Sequence, residues 1–209
     1  MSRAASDAPR ARSLSTHAPL SRFGVPLFFV LLVTLHLAAN AWGAADELFA
    51  PIARVMTHPR CLNCHTSTDY PRQGDDRHRH LFLVVRGDDN RGAPGAHCGN
   101  CHGGANQSAS GVPGAPGWRL APLDMAWEGT PGVAMDNAGL CRRLLDRQRN
   151  GGRDSAALER HMTEEPLVAW AWAPGKDRLQ EGRAPPPLSQ ADFIAAFRAW
   201  RAAGAPCPE

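Results

Sequence analysis

The tightest constraint on this chain is a five-residue pattern that occurs twice. The runs are Cys61-Leu62-Asn63-Cys64-His65 and Cys98-Gly99-Asn100-Cys101-His102. Two thiols three positions apart, followed directly by a histidine, form the attachment sequence of c-type haem. The thiols can form thioethers to the two vinyl groups of one porphyrin, and the histidine then lies under the iron as proximal ligand. On this pattern Cys61, Cys64, Cys98 and Cys101 are the expected covalent anchors of two haems, and His65 and His102 the expected proximal ligands. Other uses of the pattern fit less well. A structural zinc on the four cysteines leaves each following histidine without a role. A thioredoxin-type dithiol needs a strand–helix setting that neither run has.

The N-terminus bounds what folds. Residues 1–22 carry four arginines and one acid, residues 23–37 are apolar, and small residues follow. A basic start, a short apolar middle and a small-residue exit describe a secretory signal peptide. Cleavage is expected after Ala41 or after Ala45, which assigns residues 1–45 to the leader and 46–209 to the folded domain. The apolar stretch is short for a membrane span, and Pro26 and His36 weaken it further. A membrane association is expected only if the leader stays uncleaved. Beyond residue 45 the chain has 19 basic and 19 acidic side chains, so nothing argues for nucleic acid. Export to the periplasm places the cysteines in an oxidising compartment, where the two left over, Cys141 and Cys207, are expected to pair.

Periodicity predicts a helix over 46–57, with Leu48, Phe49, Ile52, Val55 and Met56 on one face and Pro59 as the stop. A second is predicted from Ala138 to about Arg149, capped by Asp136 or Asn137. A short one follows a cap at Asp154 or Ser155. A last one follows the Ser189-Gln190-Ala191-Asp192 capping box and ends near Gly204. Residues 66–97 and 103–133 are rich in turn formers, and only Leu81-Phe82-Leu83-Val84-Val85 reads as a short strand or buried extended piece. Irregular stretches this long are unusual in a compact domain. Two porphyrins would supply the apolar centre that such loops lack. The expected fold is therefore mostly α with extensive irregular loops, like multihaem c-type cytochromes, with two haems forming the core.

Each iron needs a sixth ligand or an open site. The candidates are His80, in a loop between the runs; His161, on the apolar side of a short helix; His58, better placed for the neighbouring haem than for its own; and Met125. A histidine lowers the potential and a methionine raises it. Five tryptophans (118, 127, 170, 172 and 200) are expected against porphyrin faces or in ordinary core. Arg72, Arg77, Arg79, Arg86 and Arg91 are candidates for propionate pairing or for a solvated face. No acid–base pair stands out beside either run, and no catalytic residue is assigned.

The run from His58 through His65 (HPRCLNCH), then Gln73-Gly74-Asp75-Asp76 and His80, resembles a group of small exported bacterial proteins. The likeness continues through Val112-Pro113-Gly114-Ala115-Pro116-Gly117-Trp118, Leu120-Ala121-Pro122 and Asn150-Gly151-Gly152. It goes on through His161-Met162, Pro166-Leu167-Val168-Ala169-Trp170-Ala171-Trp172 and Gly204-Ala205-Pro206-Cys207-Pro208. These proteins are often labelled isoquinoline 1-oxidoreductase subunit and look like dihaem cytochromes. The resemblance implies a periplasmic molybdenum hydroxylase as redox partner, with this chain as its electron acceptor. It places His58, His80, His161 and Met125 in shared segments without giving them ligand roles. The expected function is single-electron transfer by a dihaem c-type cytochrome. Two alternatives are a small dihaem peroxidase or reductase with one open iron, and a zinc-stapled binding module.

Overall fold

The computed structural model describes residues 43–209. The expected leader lies outside them apart from residues 43–45, which form the first turn of helix α1 (43–56). Phe49, Ile52, Val55 and Met56 on one face of α1 are buried, as a 3.6-residue period requires. Pro59 has two roles. It cannot continue α1, and it opens a one-turn helix α2 (Pro59–Leu62) in which a missing N–H costs nothing. The first run is wound on that turn.

Four further helices follow, and the last of them meets α1 through Trp200 on Phe49 (ring centroids 5.4 Å apart). Helix α3 (Asn137–Leu145) is capped by Asp136, whose Oδ1 accepts from Gly139 N at 2.7 Å. It ends four residues earlier than its sequence pattern predicts. The reason is Asn150, 2 % exposed, whose Nδ2 donates to Leu144 O and Arg153 O at 2.9 Å each. It takes the carbonyl that a continuing helix would have used. Helix α4 (Ser155–Glu164) is capped by Asp154. Pro166 stops it and starts α5 (Pro166–Trp170). Helix α6 (Gln190–Ala202) begins at Ser189, whose hydroxyl accepts from Asp192 N at 3.1 Å.

These helices close on Trp200, Phe197, Phe193, Leu140, Leu144 and Leu158, all 2 % exposed or less. A Cys141–Cys207 disulfide (Cα–Cα 5.5 Å) ties α3 to the last turn of the chain. The loops contrast with this core. Between residues 66 and 119, Ala115 is the single buried apolar side chain.

Two small hairpins, not signalled by the sequence, organise the loops. β1 (Arg72–Gln73) pairs with β2 (His78–Arg79), and β3 (Glu128–Thr130) with β4 (Val133–Ala134). The apolar run after His80 is neither strand nor buried. Leu81–Leu83 form a tight turn, with Phe82 91 % and Leu83 73 % exposed. Their φ angles of 64° and 51° exclude extended backbone at both positions. Among the described residues no helix is long and apolar enough to cross a membrane.

Candidate functional site

The two runs fold alike although their flanks differ. In each, the second cysteine's N–H meets the carbonyl of the first (Cys64 to Cys61 at 3.1 Å, Cys101 to Cys98 at 3.2 Å). The histidine's N–H meets the same carbonyl (His65 to Cys61 at 3.0 Å, His102 to Cys98 at 2.9 Å). One helical turn therefore brings two thiols and an imidazole to one side. None of the four sulfurs is in a disulfide.

The likeness extends to the histidines' surroundings. His65 Nδ1 is 2.7 Å from Met125 O, and His102 Nδ1 is 2.6 Å from Pro113 O. A carbonyl only accepts, so both Nδ1 atoms carry the proton and Nε2 keeps a free lone pair. This is the second-shell arrangement of a metal-binding histidine. A tryptophan then lies flat on each ring. Trp127 stacks on His65 at 3.4 Å between centroids and 10°, and Trp118 on His102 at 4.7 Å and 9°. Trp170 stands edge-on against Trp118 at 4.9 Å, its Nε1 donating to Asn106 Oδ1 at 2.9 Å. Asn106 Oδ1 also accepts from Gly114 N at 3.0 Å. Gly114 follows the Pro113 carbonyl and admits no side chain: a Cβ there would sit 2.4 Å from Ala105 O and 2.6 Å from Gly103 O.

The two sites differ in exposure. Burial pushes the Cys61 thiol up to about 12, helped by Cys64, and the Cys64 thiol up to about 11, helped by the nearby Cys98. Without a bound group both stay thiols at neutral pH. Burial also drives His65 down to about 3, against the Met125 hydrogen bond, and the charge of the neighbouring His161 adds to the effect. His102 is lowered as well, chiefly by burial, with His80 and Arg183 contributing. Around the second run Cys101, Gly99, Asn100, Gly103 and Gly104 are exposed. An open cleft of about 440 Å³ lies beside His102, walled by Trp118, Pro116, Gly103 and Arg91.

The first site is held by a buried acid that sequence reasoning missed. The Glu128 side chain is 0 % exposed. Its Oε2 accepts from Ser67 N (2.7 Å), Ser67 Oγ (2.9 Å) and Thr66 Oγ1 (3.0 Å). Its Oε1 pairs with Arg77 and lies 3.6 Å from Arg72 Nε. Glu128 follows Trp127 and Thr66 follows His65, so one carboxylate clamps both halves of the stacked pair. Burial raises the Glu128 pKa, but the Ser67 N–H, Arg77 and the two hydroxyls more than offset it, and the net shift is downward.

The remaining candidates separate clearly. The His80 ring lies 5.9 Å from the His102 ring. His161 is half-buried, with Nδ1 3.9 Å from Glu165 Oε2. His58 caps α2, its Nδ1 accepting from Arg60 N at 3.3 Å, which puts its ring proton on Nε2. The Met125 side chain belongs to the apolar core, and its carbonyl serves His65. Of the arginines, Arg86 is buried and donates to Thr66 O, Thr68 O, Ala121 O and Asn90 Oδ1. Arg72 and Arg77 are held by Glu128, and Arg79 lies over the Tyr70 ring at 4.3 Å. Trp172 and Trp200 pack with Phe193, Phe49 and Phe197. Among the described residues no three His, Cys, Asp or Glu side chains converge to hold a bare metal ion. No family model, curated protein or solved structure matches this chain.

Proposed function

We propose that this chain is an exported dihaem c-type cytochrome that carries single electrons. The observation that carries the reading is the shared build of the two runs. Each has one helical turn presenting two unpaired thiols, a histidine whose Nδ1 is fixed by a carbonyl, and a tryptophan flat on that histidine. A redox dithiol has no use for the second half of that arrangement, and a zinc staple on the four thiols leaves both histidines without a role.

Cys61 and Cys64 would hold one haem and Cys98 and Cys101 the other. Each would add its S–H across a vinyl group, the sulfur bonding to one carbon and the hydrogen passing to the other. His65 and His102 would present Nε2, their orientation set by Met125 O and Pro113 O. When bound, each haem supplies a one-electron iron couple; the protein sets its ligands, burial and access. Two features of the residues fit such a group. The stretch 66–119 has almost no apolar interior of its own. The buried Trp127 Nε1, beside His65, has no hydrogen-bond partner among the described residues, and a propionate is an acceptor that would satisfy it. The partner that the resemblance implies, a periplasmic molybdenum hydroxylase, is the donor we propose.

The test is expression of the full chain in a host that matures c-type cytochromes. Mass spectrometry should find the polypeptide heavier by two haems, and a pyridine haemochrome spectrum should count two. A colourless, unmodified or zinc-loaded product would refute the proposal.

A further inference from the structure

We infer that His80 is the second axial ligand of the haem held by Cys98, Cys101 and His102, and that Leu81–Leu83 cover that haem's distal face. The inference rests on the dihaem reading and adds to it which histidine meets which iron.

Distance is the first argument. Two imidazoles on opposite faces of one metal ion stand about 6 Å apart between ring centres: about 2 Å for each metal–nitrogen bond and about 1 Å from each nitrogen to its ring centre. His80 and His102 are 5.9 Å apart, with ring planes at 68°. An ordinary edge-to-face pair of rings can have the same spacing, as Trp170 against Trp118 does at 4.9 Å, so the tautomers of the two rings decide between the two uses.

Protonation is the second argument. His80 Nδ1 is 2.5 Å from Leu81 O, so it too donates to a carbonyl, and its Nε2 keeps a lone pair. Both rings are thus prepared in the tautomer that binds a metal through Nε2. The backbone holds His80 there: its N–H meets Pro71 O at 3.0 Å, and the next N–H meets Gln73 Oε1 at 3.2 Å. Hairpin β1–β2 therefore carries the ligand.

The other histidines are occupied. His58 uses Nδ1 as the α2 cap. His78 is exposed and held by Asp76 at 2.6 Å. His97 directly precedes Cys98 on the anchoring turn. His161, on α4, faces Glu165, its Nδ1 3.9 Å from Glu165 Oε2.

The turn after His80 completes the case. Leu81, Phe82 and Leu83 are 45 %, 91 % and 73 % exposed, and two of them hold a positive φ that bulky side chains rarely adopt. A contiguous exposed apolar patch on a strained turn marks a surface with a use. Its place next to His80 assigns the occupant: the distal face of the haem that His80 ligates.

The experiment uses the haem-loaded full chain. Mass spectrometry gives the haem count, and optical and low-temperature EPR spectra give the spin state of each iron. The wild type should show at least one low-spin iron, that of the second haem. His80→Ala should keep two haems and convert one iron to high spin, and added imidazole should return it to low spin. His78→Ala should leave both irons as in the wild type. Spin states in His80→Ala unchanged from the wild type would overturn the ligand assignment while leaving the dihaem reading intact; a wild type without two haems would overturn both. If His80→Ala loses a haem, His80→Met decides: its second haem should rise in potential, and an unchanged potential would refute the assignment. Phe82→Asp should lower the potential of the second haem alone, at an unchanged haem count. Equal potentials in variant and wild type would remove the covering role.

Discussion

Glu128→Gln tests whether the first site is held together by one buried carboxylate. Glutamine keeps the size and can still accept from Ser67 N, but it leaves Arg77 and Arg72, 13 % and 16 % exposed, without their counter-charge. Breaking a fully buried pair costs about 3–5 kcal/mol. Both arginines keep some access to water, so the lower end applies, about 3 kcal/mol. With a urea slope of about 2 kcal/mol/M, the unfolding midpoint at pH 7 should fall by about 1.5 M at unchanged slope. Arg77→Ala should cost a similar amount, and the double variant clearly less than the sum. The pH dependence follows from the depressed Glu128 pKa. Its contribution is complete above the ordinary carboxylate value of 4.5 and is lost as pH falls through the lower folded value. The gap between wild type and Glu128→Gln should therefore be widest near neutrality, start to narrow only below the ordinary carboxylate value of 4.5, and close once pH is below the lower folded value. A midpoint shift under about 0.3 M, or a gap that widens in acid, would refute the reasoning.

Other variants probe other links. Replacing Cys141 and Cys207 by serine opens a 66-residue loop and should cost about 4 kcal/mol in the chain-entropy description, read by the same urea titration. Gly114→Ala puts a Cβ against two backbone oxygens; it should destabilise by about 1–3 kcal/mol and shift the EPR signal of one iron only, through the Pro113 carbonyl. Cys98→Ala with Cys101→Ala should leave a protein heavier by one haem, and loss of both would contradict independent attachment. Trp127→Phe keeps the stack on His65 but removes the indole N–H; its effect should fall on the first haem's potential, with the second unchanged.

The helices were legible because their signals are local. Asp136, Asp154 and Ser189 each cap the turn directly after them, and Pro59 and Pro166 punctuate as proline must. The end of α3 was not legible, because Asn150 acts from outside the helix. Leu81 to Val85 misled because five apolar residues in a row look the same whether they enter a core or lie on a turn. The two C-x-x-C-H runs announce themselves. Their environment does not: the His65 partner Met125 is 60 residues away, and Glu128 reaches Ser67 across 61. No spacing rule connects such positions, and the flat stacking of Trp127 and Trp118 arises only once the loops have closed.

The turns of the two C-x-x-C-H runs share one backbone but not one exposure. The first lies against the helical core, with Leu62 and Asn63 buried within it; the second sits at the rim, with Cys101 and its neighbours open to solvent. On the dihaem reading this sets a direction of traffic. A docking enzyme would reach the rim site first, while the inner one, shielded from direct collision, would fill and empty by way of its neighbour. The molecule would then act as a relay with one port and one store, so that a donor giving two electrons can be served by a carrier that exchanges them one at a time.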